Sequence, residues 1–103
     1  MIRHIVLVRY RGDVTSRERA AIVAALAGLR DRMPGMLAIA GGPNVSVEPH
    51  VRHGFDDGFV IDFADESARD AYLTDPEHQA IGARILAATE GGTGGVVVFD
   101  IEL

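Results

Sequence analysis

The stretch Tyr72-Leu73-Thr74-Asp75-Pro76-Glu77-His78 brings the chain's chemically capable residue types together at a spacing that can give them a common target. Asp75 has the short carboxylate of a helix N-cap and Pro76 the fixed φ suited to a first helical position, so His78 falls third in a new helix. One helix therefore ends near Thr74 and another begins at once. Ile81, Gly82 and Ile85 follow His78 at i+3, i+4 and i+7, which points the imidazole along an apolar face, and the positive end of the helix disfavours imidazolium. A neutral imidazole placed in this way is a general base. The plainer alternative is a partly buried histidine that only helps to close a helix start.

The elements that must position these residues follow from periodicity. Residues 2–10 are β-branched and apolar with no helical period, and alternation sorts His4, Val6, Val8 and Tyr10 to one side of a strand and Ile5, Leu7 and Arg9 to the other. Both sides are largely apolar, so both require cover. Thr15 and Glu18 have the spacing of a capping box. Ile22, Leu26, Leu29 and Met33 continue on one helical stripe, and Pro34-Gly35 ends the helix at about Arg32. A second strand is expected from Met36 to Val47 at a sheet edge, with a bulge or bend at Gly41-Gly42-Pro43. After a polar loop comes a third strand, Phe55 to Ala64, with Asp57, Phe59, Ile61 and Phe63 on one side. Asp65 caps a short helix that carries Ala68, Ala71 and an inward-pointing Tyr72. The helix of His78 runs to about Ala88, and Gly91 to Gly95 connects it to a closing strand, Val96 to Glu102. With no Lys-Ser or Lys-Thr pair and a strand after it, that glycine run is a linker and not a phosphate cradle. The order β-α-β-β-α-β describes an α+β, ferredoxin-like domain spanning residues 1–103, a four-stranded antiparallel sheet with its helices on one face and the other face bare.

Composition narrows the function. A net charge of −5 with scattered arginines argues against a nucleic-acid binder. The absence of cysteine removes disulfides and thiolate metal sites. No apolar run approaches a membrane span and no leader pattern follows Met1, so a cytoplasmic protein is expected. His50 and His53 lie in a polar loop with no further ligands nearby, so no metal is expected there.

The chain resembles the Dabb family of stress-responsive dimeric A/B-barrel proteins. The resemblance rests on Ile2-Arg3-His4-Ile5-Val6-Leu7, Pro34-Gly35, Gly42-Pro43-Asn44-Val45-Ser46, Gly54-Phe55-Asp56, Phe63, and Tyr72 to His78, in order along the whole chain. It implies a homodimer whose two sheets pack face to face, covering the bare face. It also implies an activity, because a plant polyketide cyclase of this fold closes an aromatic ring with a histidine and a tyrosine that match His78 and Tyr72, supported by a histidine that matches His4. Three departures accompany these matches: a further pocket histidine is Asp57 here, a pocket tyrosine on the first helix is Leu26, and the histidine often found before the proline is Asp75.

On that resemblance His78 removes a proton from a carbon between two carbonyls, Tyr72 hydrogen-bonds the developing enolate, and His4 or Asp57, both on the helix side of the sheet, holds the base. The ligand is a small β-dicarbonyl or polyketide-like compound, and no cofactor is needed. The alternative from a different class is a non-catalytic stress or assembly protein whose product is the dimer. A monooxygenase of the related barrel type is a third reading. An open pocket of several hundred Å³ reached by His78 separates the first from the second.

Overall fold

The strand β1 (Ile2–Val8) forms where β-branched residues alternate, and the computed structural model, which describes residues 1–103, places it in the middle of the sheet. It pairs antiparallel with β3 (Asp57–Phe63) on one side and with β4 (Val96–Glu102) on the other. The strand β2 (Met36–Pro43) adds antiparallel to β3, giving the order β2-β3-β1-β4. Between β1 and β2 runs α1 (Ser16–Gly28), begun by the expected capping box between Thr15 and Glu18 and continued by a 3₁₀ turn over Leu29–Arg32. The helix α2 (Glu66–Thr74) starts where Asp65 accepts the Ala68 N–H, and α3 (Pro76–Ala88) follows after the single residue Asp75. No helix is long and apolar enough to cross a membrane.

Alternation along the strands decides what the helices cover. Val6, Val8, Phe59, Ile61 and Phe63 face the helices and join Ile22, Leu26, Leu29, Tyr72 and Ile85 in one continuous core. Each fully buried aliphatic side chain in it contributes about 1.5–3 kcal/mol through apolar area removed from water. The opposite face carries Ile5 aligned with Val60 and Phe99, and Leu7 aligned with Gly58 and Val97, with no helix over it. Phe99 is 60% exposed there, and Val97 and Ile101 are also exposed. Arg3 and Asp62, opposite each other in register, form a two-pronged ion pair at 2.8 and 3.1 Å toward one end of that face.

Three expectations are corrected in detail. β2 ends at Pro43 and not at Val47, because the Asn44 side chain accepts the Ser46 N–H at 2.8 Å and turns the chain out of the ladder. Its irregularity falls between Met36 and Ala38 and not at Gly41-Gly42-Pro43. Gly41 serves close packing instead: a Cβ there would lie 2.8 Å from Phe59 Cβ and 2.9 Å from Val23 Cγ2, so α1 can approach β2 only over a glycine. Ala71 is exposed, leaving Ala68 and Tyr72 to bury the inner side of α2.

Candidate active site

Asp75 is the hinge on which the site is built. It ends α2 and caps α3 at once, its Oδ2 accepting the His78 backbone N–H at 2.9 Å. Arg32, at the end of the 3₁₀ turn after α1, holds the same carboxylate in a fork, Nη1 to Oδ1 at 2.8 Å and Nη2 to Oδ2 at 2.6 Å, and also donates to Glu77. Arg32 was not legible as a site residue, because only the packing of one helix end on another brings it here. The guanidinium and the His78 N–H together hold the Asp75 carboxyl down to about 2, from its ordinary 3.8.

That depression gives a stability prediction with a definite sign. The folded value lies below the unfolded one, so the stabilisation is fully present above about pH 4 and is lost as pH falls through about 2. Replacing Asp75 by Ala removes the cap as well and is expected to lower Tm by about 4–8 °C at neutral pH, whereas Asp75→Asn, which still caps, loses less. Thermal melts across pH 2–7 provide the check. Equal damage from both variants at neutral pH would remove the capping account and point to the carboxylate charge.

The break between α2 and α3 lets Tyr72 and His78 meet. Their ring centroids are 3.8 Å apart with the planes inclined by 36°. Tyr72 is buried against Phe63 at 5.0 Å and His4 at 5.8 Å, the latter edge-on. Burial raises the Tyr72 phenol well above its ordinary 10, so at neutral pH it remains a proton donor. His78 is half-buried, and its Nδ1 is buried with no hydrogen-bond partner. Burial lowers the His78 pKa from 6.5, and the positive charge available to His4 lowers it further; Asp75 and the Leu73 and Tyr72 carbonyls oppose the shift without reversing it. The ring is therefore neutral at pH 7, with a nitrogen lone pair available to take a proton.

His4 is fixed from the other side. On the central strand and almost fully buried, it pairs through Nδ1 with Asp100 Oδ1 at 2.7 Å. In the neutral ring this makes Nδ1–H the donor and leaves the lone pair on Nε2. The other Asp100 oxygen accepts from Arg69 on α2 at 3.1 Å. Asp100 is thus the partner of His4. The signal lay in the strand register, which sets Asp100 directly across from His4.

Asp57 does not join this group. It is aligned with Val8 at the far end of β3, where Arg19 of α1 binds its Oδ2 at 2.6 Å, so it holds neither His4 nor His78. His50 is exposed on a 3₁₀ turn and His53 on the loop after it, and no cluster of three or more His, Cys, Asp or Glu side chains is arranged to hold a metal ion.

Five concavities mark the surface, and three of them are prominent. One of about 490 Å³ lies between α1 and the β2–β3 end of the sheet, lined by Tyr10, Arg19, Val23, Asp57 and Phe59 among others. A second, about 520 Å³, lies over Ile5, Leu7, Ala40 and Val60 on the open sheet face, and a third of about 300 Å³ sits between α1 and α3. Neither His78 nor Tyr72 lines any of the three.

A four-stranded antiparallel sheet of order β2-β3-β1-β4 with helices on one face and an uncovered apolar face defines a ferredoxin-like domain. The model of the Dabb family, the stress responsive A/B barrel domain, matches residues 2–103, and the chain belongs to that family. Among curated proteins none matches the sequence. Among solved structures, a dimeric ferredoxin-like protein of unknown function from Jannaschia sp. CCS1 is 30% identical over 99% of this chain and 98% of its own, with a TM-score of 0.90. Two relatives share the fold at lower identity. A hydroxynitrile lyase from Passiflora edulis is 19% identical over 99% of this chain and 92% of its own, TM-score 0.81. A cofactor-independent oxygenase from Streptomyces nogalater is 14% identical over 99% and 91%, TM-score 0.72.

Proposed function

We propose that this Dabb protein is a cofactor-independent proton-transfer catalyst for a small carbonyl compound of the β-dicarbonyl or polyketide-like class. The observation that carries the reading is the neutral, half-buried His78 ring lying against Tyr72, its Nδ1 turned inward so that Nε2 is the nitrogen left to meet a substrate. In the reaction, the His78 imidazole takes a proton from the carbon between two carbonyls. The electron pair moves onto a carbonyl oxygen as an enolate, and the Tyr72 hydroxyl donates a hydrogen bond to it. The enolate carbon then adds to a second carbonyl of the same molecule, and the imidazolium returns its proton to the new alkoxide. His4, oriented by Asp100, packs edge-on against Tyr72 and fixes the ring from behind. That relatives of this fold include a lyase and an oxygenase that needs no cofactor supports the general type and does not select the substrate.

The chain acts as a homodimer in this reading, with the open sheet face as the contact. The 30% identical relative is described as dimeric, and the uncovered face here presents Ile5, Leu7, Val60, Val97, Phe99 and Ile101 together.

A second reading, a non-catalytic dimeric barrel, is favoured by one specific observation: no main concavity reaches His78 or Tyr72. Incubation with a panel of linear β-polyketide acids, followed by mass spectrometry and proton NMR, separates the two. Cyclised or isomerised product formed by the wild type and not by His78→Ala supports catalysis. Neither binding nor turnover anywhere in the panel supports the second reading.

A further inference from the structure

The open sheet face is unevenly filled. The pairing registers set its side chains in rows that cross the sheet from β2 to β4. The first row is Ala38, Asp62, Arg3 and Ile101, the second Ala40, Val60, Ile5 and Phe99, and the third Gly42, Gly58, Leu7 and Val97. The β2 edge is therefore a column of small residues and the β4 edge a column of large ones. A Cβ added at Gly42 would meet no atom within 4 Å, and a hollow of about 520 Å³ lies over Ala40, Gly42 and Val60. On the other edge Phe99 stands out, 60% exposed, with Val97 40% and Ile101 37% exposed beside it. The face carries a trough and a ridge of its own.

Two like sheets packed face to face and aligned are related by a two-fold axis between them, which runs either along the strands or across them. An axis along the strands keeps each row at its height and reverses its order. Ala38, Ala40 and Gly42 then meet the partner's Ile101, Phe99 and Val97, so that each large side chain faces a small one, and Val60 meets the partner's Ile5. In the first row Asp62 comes opposite the partner's Arg3. The pair that Arg3 and Asp62 make within one copy, at 2.8 and 3.1 Å, is thereby extended across the axis into a ring of four alternating charges. An axis across the strands keeps the order within each row and exchanges the first row with the third. Phe99 then collides with its own image, Ala40 faces its own image across a void, and the ion pair is pressed against Leu7 and Gly58, where neither charge gains a partner.

From this complementarity we infer that the open face receives a second copy of this chain about an axis along the strands, with Phe99 of each copy seated on Ala40 of the other and the two Arg3–Asp62 pairs closed into one ring. The large-on-small packing carries the affinity. The ring selects the partner, because a sheet of similar shape without opposite charges at that height leaves buried charge unpaired. The inference rests on the homodimer proposed above and adds to it the axis and the contacts. It is independent of the His78 chemistry.

Dimer dissociation constants of the intact chain, measured by analytical ultracentrifugation with circular dichroism as the folding control, test the contacts. Ala40→Phe overfills the trough and Phe99→Ala removes the ridge, and each should weaken the dimer about tenfold or more. Within one copy the two positions lie on opposite edges of the sheet, about 14 Å apart, and do not touch. The double variant Ala40→Phe/Phe99→Ala should therefore return to within about threefold of the wild type only through a contact between copies. Arg3→Asp and Asp62→Arg should each weaken the dimer about tenfold or more alone and form a one-to-one dimer when mixed. In wild-type protein assembled from isotope-labelled and unlabelled chains, intermolecular NOEs should join the Ala40 methyl to the Phe99 ring and the Ala38 methyl to the Ile101 methyls. This last measurement needs no substitution and stands if a variant fails to fold. An NOE from Phe99 to the partner's Phe99, no recovery in the folded double variant, or a mixture of the two charge variants that stays monomeric would overturn the axis while leaving the dimer. A wild-type chain that remains monomeric at NMR concentrations would overturn the dimer and this inference together.

Discussion

His78→Ala is expected to reduce turnover of an accepted carbonyl substrate by about 10²–10⁴-fold while the protein stays folded, because the positioned base is removed and the backbone cap at Asp75 remains. Tyr72→Phe is expected to cost about 10²–10³-fold through loss of the enolate donor, and the phenyl ring keeps the contacts with Phe63 and His78. His50→Ala and His53→Ala, both on exposed loop residues, leave the rate unchanged. The pH dependence follows from the direction of the His78 shift. Its pKa lies below 6.5, so kcat/KM falls on the acid side only below that value and is level through pH 7. Steady-state rates with circular dichroism as the folding control provide the measurement. Near-normal activity in His78→Ala would end the proposal for this residue.

Leu7→Asp is expected to abolish the dimer. Leu7 lies on the central strand of the uncovered face, level with Val97, and two such sheets packed together would bury it. An unpaired carboxylate trapped there costs several kcal/mol, equivalent to a loss of about a thousandfold or more in association. Because the exposed apolar face is then left in water, the product is a monomer or an aggregate. Light scattering distinguishes the 11.0 kDa chain from a species of about twice that mass. Arg17→Asp, an equally drastic change on the outer surface of α1, is the control and leaves the dimer intact. A fully folded dimer from Leu7→Asp would move the interface to another surface.

The parts of this fold that were legible in the sequence are those set by local chemistry. Thr15 and Glu18 start α1, Asp65 starts α2, and Asp75-Pro76 divides α2 from α3, each through a side chain that satisfies N–H groups a few residues on. The alternation in β1 likewise separated His4 from Leu7 before any strand was paired. What depended on register or on one element lying over another was not legible. His4 is held by Asp100, and Arg32 clamps the cap of His78, through contacts between residues far apart in the chain. Asp57, grouped with the histidines because it shares their side of the sheet, sits at the opposite end of its strand and belongs to Arg19. Alternation assigns a face, and only register assigns a position along it.

The most direct test of the proposed base is the titration of the His78 ring, followed by proton NMR of the imidazole C–H resonances and assigned by comparison with His78→Ala. A midpoint below 6.5 is expected, because burial disfavours the charged ring. A midpoint at or above 6.5 would contradict a neutral imidazole poised to accept a proton.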